Sequence, residues 1–170
     1  MEFFSQMIFE EQKYRFMFAA LQEAERAFEE NEVPVGAVVV KDNKIIGRGY
    51  NQVERLKDAT AHAEMIALTS AANHIGNWRL SGCSIYVTLE PCVMCTGGLL
   101  ASRIEELYFA LHDPKFGACG SVYNIAEDGK TNHRLNVYSG IYADESKKLL
   151  EDFFNKLKNK NNLKFSPPTA

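Results

Sequence analysis

The sequence predicts an α/β fold in which helices pack against a central β-sheet. Stretches rich in β-branched residues alternate along the chain with helical stretches, an order that is typical of an α/β sandwich. The chain has 170 residues, of which 46% are hydrophobic and 24% charged, as in an ordinary globular protein with a sizeable core. No internal repeat, low-complexity tract or linker divides it, so we expect one domain over residues 1–170.

The predicted elements follow in chain order. Apolar residues at helical spacing, separated by glutamates, predict an amphipathic helix near residues 11–31 that ends before Pro34. Two β-rich runs around Asp42-Asn43 predict a hairpin. The remaining predictions are hairpin strands over 35–40 and 45–50, a helix over 60–76, a strand over 85–89, a helix over 92–102, strands over 104–111 and 135–141, and a helix over 144–160.

The two ends of the chain differ in charge. Residues 1–32 carry eight acidic and three basic side chains, whereas residues 153–170 carry four lysines and no acidic residue. A basic end can meet a phosphate backbone, but lysines are equally expected at the solvated C-terminal end of a helix. We expect residues 1–10 to be an N-terminal extension and residues 161–170 a flexible tail.

The apolar runs are too short to cross a bilayer, and we find no signal peptide in the sequence. With no secretory signal, the four cysteines favour a reduced, cytoplasmic setting over disulfides. We therefore expect no membrane partner.

Three short segments bring together the side chains of a catalytic metal site. His62 offers one imidazole, and the Cys92-x-x-Cys95 pair offers two thiolates. Catalytic zinc sites use three protein ligands and leave the fourth position to water, whereas structural sites usually close with four. Glu64, two residues from His62, can stand beside that position without ligating the metal, as a proton carrier requires.

Each segment taken alone is a weak signal. A lone Cys-x-x-Cys pair is often redox-active or half of a structural zinc site, and a lone His-x-Glu pair means little. Cys83 and Cys119 are possible fourth ligands, but we expect both to be buried free thiols. Cys83 precedes a predicted buried strand, and Cys119 lies in a glycine-rich loop that we expect to be distant from the site.

His62-Ala63-Glu64 followed by Pro91-Cys92-x-x-Cys95 is the signature of the zinc nucleobase deaminases. Over about residues 14–158 the chain further resembles the bacterial tRNA-specific adenosine deaminases. The segments that carry this resemblance are Glu32-Val33-Pro34-Val35-Gly36-Ala37, Thr60-Ala61-His62-Ala63-Glu64-Met65, Tyr86 to Cys95, Ser102-Arg103-Ile104, Asp113-Pro114-Lys115 and Asn132-His133-Arg134.

The resemblance implies a three-layer α/β/α sandwich of the cytidine-deaminase-like type, with a central mixed sheet of about five strands. It implies a zinc-dependent hydrolase that works as a homodimer with one Zn²⁺ per subunit. The implied reaction converts adenosine to inosine at the wobble position, the first of the anticodon, in the anticodon stem-loop of an arginine tRNA.

The resemblance also implies residue roles. His62, Cys92 and Cys95 bind zinc, and Glu64 is the catalytic proton shuttle. The implied substrate contacts are Asn51, Ala63 and Pro91. Possible RNA-binding residues are Asp113, Lys115, Phe116, His133, Arg134, Phe153, Phe154, Lys156 and Lys158. For the two phenylalanines of the last helix, packing in the core is at least as good an explanation.

Two other functions remain open from the sequence. A deaminase of a free nucleobase or nucleoside, such as guanine or cytosine, would use the same zinc site. A non-catalytic zinc scaffold that binds tRNA would need the three ligands but not Glu64, so the presence of that carboxylate argues against it.

Overall fold

Five helices and five strands form the described part of the chain in the computed structural model, namely the backbone of residues 2–164 and the side chains of residues 10–160. In chain order they are α1 (Glu2–Glu29), β1 (Gly36–Lys41), β2 (Lys44–Tyr50), α2 (Val53–Leu56), α3 (Ala63–Ile75), β3 (Ser84–Leu89), α4 (Val93–Ala101), β4 (Glu106–Leu111), β5 (Asn136–Ser139) and α5 (Ala143–Lys164).

The five strands form one mixed sheet in the order β2-β1-β3-β4-β5. Strand β1 runs antiparallel to β2 and β3, whereas β3, β4 and β5 are parallel. Asp42 and Asn43 connect β1 to β2 with φ values of 47° and 60°, the left-handed pair that a type I′ hairpin turn requires. The predicted mixed sheet of about five strands is confirmed.

Helices cover both faces of this sheet. Side chains alternate along a strand, so Val38 of β1 packs with Met17 of α1, and Val39 packs on the other face with the core of α3 and α4. Helix α5 lies beside α1, where the Phe153 and Phe28 ring centroids are 6.1 Å apart. The predicted three-layer α/β/α sandwich is confirmed.

Strands β2 and β3 run in the same direction, because both are antiparallel to β1. The segments that follow these two strands therefore leave the same edge of the sheet, and they lead to α3 and α4. Helix starts at the carboxyl ends of strands are the usual place for a binding crevice in α/β proteins.

Helix α3 lies unusually close to β2. A Cβ atom added to Gly49 would stand 2.3 Å from the carbonyl oxygen of Ala63, and one added to Gly47 would stand 2.5 Å from that of Ala67. Glycine at both positions permits this approach. The first turn of α3, which contains Glu64 and directly follows His62, therefore packs closely against β2.

Several element bounds differ from the prediction. Helix α1 begins at Glu2, so residues 2–10 of the predicted extension continue the helix; α2 has no counterpart in the prediction. Helix α5 extends to Lys164, so the first four residues of the predicted flexible tail are helical, and residues 165–170 lie outside the described residues. None of the described helices is long and apolar enough to cross a membrane.

Candidate metal centre and active site

The three predicted metal ligands come together at the starts of α3 and α4. His62 Nδ1 lies 3.5 Å from Cys95 Sγ and 3.8 Å from Cys92 Sγ. One ligand atom from each residue falls within 4.8 Å of the others, and no other group of this kind occurs among the described residues. In the sequence, His62 is 30 to 33 residues from the two cysteines. The three residues meet because β2 and β3 run in the same direction, so the segments that follow them lie at the same edge of the sheet.

Local backbone geometry explains how each ligand is presented. His62 and Cys92 are the N-cap residues of α3 and α4, each with an extended backbone, so each side chain stands beside the first helical turn. Cys95 lies one turn further along α4 and is fully buried. The positive end of the α4 dipole favours thiolate at the N-cap residue Cys92.

Mutual hydrogen bonds set the protonation of the cluster. A hydrogen bond from the Cys95 thiol lowers the pKa of Cys92 to about 4, with a further contribution from His62. The same bond, together with burial, raises the pKa of Cys95. The pKa of His62 is raised, chiefly by its hydrogen bond with Cys92. Cation binding must therefore displace protons from this cluster.

The donor set fits zinc. Two cysteine sulfurs and one imidazole nitrogen are ligands that Zn²⁺ prefers, and three protein ligands are the number found in catalytic sites. Glu64 is outside the cluster of ligand atoms. It lies in the first turn of α3 with 4% of its surface exposed, and burial raises the pKa of its carboxyl. A carboxyl whose pKa is raised above its usual value is better suited to accept a proton and return it.

Asn51, the predicted base contact, lies at the end of β2 with 7% of its surface exposed. Its backbone N–H donates to the Val35 carbonyl at 3.0 Å, and the N–H of Gln52 donates to the Ala61 carbonyl at 3.0 Å. The second bond joins this segment to the residue before His62. The side-chain amide donates to Glu32, which is 1% exposed.

The other two predicted substrate contacts are also buried. Ala63 is the first residue of α3, where a backbone N–H has no partner within the helix. Pro91 joins β3 to the start of α4, and its carbonyl accepts the N–H of Ala118 at 2.9 Å. The helix therefore does not use the Ala63 N–H, and Pro91 is fixed to Ala118.

Glu90 has a role that no sequence motif indicates. This carboxylate accepts hydrogen bonds from the backbone N–H groups of Asp113, Cys119 and Ser121 at 2.9–3.0 Å and from the Ser121 hydroxyl, and it pairs with His112 Nδ1 at 3.2 Å. Burial raises the pKa of Glu90, but these hydrogen bonds outweigh it and hold the pKa below its usual value.

Glu90 thereby fixes the loop of residues 112–121 beside the metal centre. Gly117 of that loop forms an isolated antiparallel β-bridge with Cys92. The expectation that this loop is distant from the site is therefore wrong. Long-range hydrogen bonds to one buried carboxylate bring it there. The Cys119 thiol and the Thr96 hydroxyl form a hydrogen bond at 3.3 Å, and burial raises the pKa of the Cys119 thiol to about 12. Cys83 is buried in the core.

Most of the candidate RNA-binding residues fall into two groups. Near the metal centre, Lys115 and Phe116 are exposed, Phe116 at 67%, while the Asp113 carboxylate accepts the backbone N–H groups of both and so shapes the turn. His133 and Arg134 lie apart from both groups: His133 bonds the carbonyl of Ile104, which precedes β4, whereas Lys115 follows the other end of that strand. The guanidinium of Arg134 lies over Gly129.

The second group lies on α5. Phe153 is 3% exposed and packs against Phe28, so its burial removes it from the candidate surface. Phe154 is 46% exposed, and the Lys158 side chain is exposed. The Lys156 ammonium lies 4.9 Å from the centroid of the Phe28 ring, which accounts for its partial burial.

Comparison with known proteins identifies related sequences and structures. The profile of the cytidine and deoxycytidylate deaminase zinc-binding region matches residues 10–111. The tRNA-specific adenosine deaminase of Aquifex aeolicus (strain VF5) is 48% identical over 147 residues, which are 86% of this chain and 97% of that protein.

Two solved structures share the fold. One, from biochemical and structural studies of A-to-I editing by tRNA:A34 deaminases at the wobble position of transfer RNA, is 43% identical with a TM-score of 0.78 and covers 80% of this chain and 99% of its own. The guanine deaminase from Nitrosomonas europaea is 24% identical with a TM-score of 0.72 and covers 82% of this chain and 83% of its own. That second likeness shows the fold alone.

Proposed function

The chain belongs to the tRNA-specific adenosine deaminases of the cytidine and deoxycytidylate deaminase family, and we propose that it converts adenosine to inosine at the first anticodon position of an arginine tRNA. The observation that carries the proposal is the three-ligand cluster with the buried Glu64 beside it. Since tRNA is the substrate, we expect the reaction to take place in the cytoplasm.

The family is zinc-dependent, and His62, Cys92 and Cys95 would hold the ion. When bound, zinc supplies the Lewis acidity that makes water a nucleophile at neutral pH. Glu64 takes one proton from the attacking water, which adds at C6 of adenine, and delivers it to the ring nitrogen. As the C6 hydroxyl becomes a carbonyl, Glu64 takes the remaining proton of that hydroxyl and delivers it to the departing amine. Water is consumed and ammonia leaves.

The base is held beside Glu64 by groups that the fold fixes. The Asn51 amide offers both a donor and an acceptor to the purine, and the free backbone N–H of Ala63 offers a second donor. Pro91 forms a wall of the pocket. The adenine must leave its stack in the anticodon loop, at a cost of a few kcal/mol that is lowest where the base is unpaired.

Exposed basic and aromatic side chains would hold the rest of the anticodon stem-loop. Phe116 supplies a face on which a flanking base can stack, and Lys115 beside it supplies a charge for phosphate. Phe154, Lys156 and Lys158 would form a second contact on α5, and His133 and Arg134 would form a third at the opposite edge of the sheet.

We also propose that the chain works as a homodimer, as the family resemblance implies. Three apolar side chains near the metal centre support an interface there. Val93 is 47% exposed, Val122 45% and Tyr123 56%, and the latter two bond through their backbones to the Gly117 carbonyl. Charge introduced by Val122→Glu should shift the protein toward monomer in sedimentation analysis. Trp78→Glu should not, because the exposed Trp78 precedes β3 and so lies at the opposite edge of the sheet.

The function is tested by giving the purified chain a set of tRNAs, an anticodon stem-loop, free bases and nucleosides in parallel. Inosine located by sequencing at the first anticodon position of an arginine tRNA, with ammonia released in equal amount, is the expected result. Ammonia from free guanine, cytosine or their nucleosides alone would instead assign a free-base deaminase. Tight tRNA binding with no ammonia would assign a zinc scaffold.

A further inference from the structure

Glu32 is a buried carboxylate for which the proposed chemistry has no direct use. It lies between α1 and β1 with 1% of its surface exposed. Its Oε1 accepts the backbone N–H of Arg55 at 2.6 Å, and its Oε2 accepts the backbone N–H of Glu54 at 3.1 Å. Its third donor is the side-chain amide nitrogen of Asn51, 3.3 Å from Oε2.

Within the described residues, no lysine or arginine side chain pairs with Glu32. The guanidinium of Arg55 turns away to Glu30 at 2.7 Å and to the Tyr50 hydroxyl at 2.8 Å. The two backbone donors from residues 54 and 55 fix the Glu32 carboxylate in place, because a buried carboxylate is costly without hydrogen bonds. One of its oxygens is then held against the Asn51 amide.

This contact decides which way the Asn51 amide faces. A carboxylate only accepts hydrogen bonds, whereas an amide has a donor end and an acceptor end. If the amide rotated by 180°, its Oδ1 would lie against Oε2 of Glu32 and two acceptors would repel. Asn51 therefore keeps its nitrogen on Glu32 and turns Oδ1 away.

The acceptor end of the amide is left partly exposed, although Asn51 as a whole is buried. The described residues supply no hydrogen-bond partner to Asn51 Oδ1, and none of their fully buried side-chain nitrogen or oxygen atoms lacks a partner. Oδ1 is therefore accessible. The backbone bond from Gln52 to Ala61 places this amide beside the start of α3, where His62 and Glu64 lie.

We propose that Glu32 is a positioning residue that locks the Asn51 amide in one orientation and so determines which polar edge the base must present. The inference rests on the proposed function, in which Asn51 contacts the base. Glu32 itself touches neither substrate nor metal in this proposal.

The test is a double-mutant cycle measured on the anticodon stem-loop. A glutamine side chain can both donate and accept, so Glu32→Gln keeps the size of the side chain but permits both orientations of Asn51. We expect Glu32→Gln to lower kcat/KM about tenfold, as expected when a hydrogen bond to a charged group is lost, with zinc content unchanged. In an Asn51→Ala background the same change should cost less than twofold.

Glu30→Gln is the matched control. Glu30 lies in the same connection and binds the side chains of Arg55 and Tyr50, but it does not contact Asn51. Its variant should stay within twofold of the wild type. Glu32→Asp keeps an acceptor-only group, so it should retain more activity than Glu32→Gln, but its shorter side chain weakens the contact to Asn51. Should Glu32→Gln fail to fold, the cycle is run with Glu32→Asp, whose smaller loss should likewise disappear in the Asn51→Ala background.

Equal losses from the Glu32 change with and without Asn51 would overturn the proposal, since Glu32 would then act only through the fold. Wild-type activity in Glu32→Gln would overturn it as well. Inosine formation by the wild-type chain is measured in the same series and tests the proposed function separately, because a failure there would leave no activity for any variant to change.

Discussion

At the scale of single residues, the chemistry depends on carboxylates that the fold removes from water. Glu64 is 4% exposed and Glu90 is 3% exposed, yet their surroundings differ. Burial raises the pKa of Glu64, whereas a shell of donors holds the pKa of Glu90 below its usual value. The first group is suited to carry a proton, and the second to hold a loop in place as a permanent anion.

Glu64→Gln should abolish turnover while leaving the metal centre intact. Glutamine has the same shape but cannot exchange a proton, and general acid–base catalysis typically contributes 10²–10⁴-fold, so kcat should fall by about that factor. Zinc measured by atomic emission should stay at the wild-type ratio, because Glu64 is not in the ligand cluster. Near-normal activity in this variant would remove Glu64 from the mechanism.

Glu90→Gln should loosen the loop of residues 112–121. An amide can accept fewer of the hydrogen bonds that the carboxylate now receives, and leaving buried donors unpaired costs roughly 1–3 kcal/mol. Urea denaturation should show this loss, and hydrogen exchange should rise at the backbone N–H groups of Cys119 and Ser121. Glu105→Gln is the control, because among the described residues only the N–H of Gly82 donates to its exposed carboxylate, so the change should affect stability little.

At the scale of elements, the strands and the main helices were predictable because they have local signals. The Asp42-Asn43 turn between two β-rich runs identifies its hairpin, and Gly76 ends α3 in the left-handed conformation with φ 72°. Helix α2 has four residues and no such signal. Its first turn is held by Glu32 from another part of the chain, so no local pattern could reveal it.

The close packing of α3 against β2 can be tested by substitution of Gly49. Alanine there would bring Cβ to 2.3 Å from the Ala63 carbonyl oxygen, so the first turn of α3 must shift and move His62 and Glu64 with it. Gly49→Ala should lower the free energy of unfolding by about 1–3 kcal/mol and weaken zinc retention.

The matched control for that change is Gly97→Ala. Gly97 is an exposed residue within α4, and an added Cβ there meets no atom within 4 Å. The free energy of unfolding of the Gly97→Ala protein should therefore rise slightly, by at most about 1 kcal/mol. Thermal unfolding followed by circular dichroism, with zinc titrated from the same samples, compares the two. Unchanged zinc retention in Gly49→Ala would contradict the role given to this contact.

At the scale of the whole molecule, only those site residues that belong to a sequence motif can be predicted from the sequence. His62, Cys92 and Cys95 follow from spacing, because each begins or lies in the first turn of a helix after a strand or loop. Glu32 and Glu90 act across 19 to 31 residues through hydrogen bonds that tertiary folding creates. Supporting residues of this kind have no local sequence signature. Phe153 is the opposite case, because the sequence allows it a role at the surface but the fold buries it in the core.

Binding of tRNA should depend on salt although the chain carries a net charge of −3. Favourable contacts to phosphate come from local lysines and release counterions, so log K should fall linearly with log salt, by roughly 0.7 per phosphate contacted on single strands. Replacing Lys156 and Lys158 with glutamine should reduce that slope by about one to two and weaken binding in fluorescence anisotropy. Lys147→Gln is the control, because Lys147 lies near the other end of α5 and pairs with Glu151 at 4.0 Å. A slope unchanged by the double replacement would place the phosphate contacts elsewhere, on other basic residues such as Lys115.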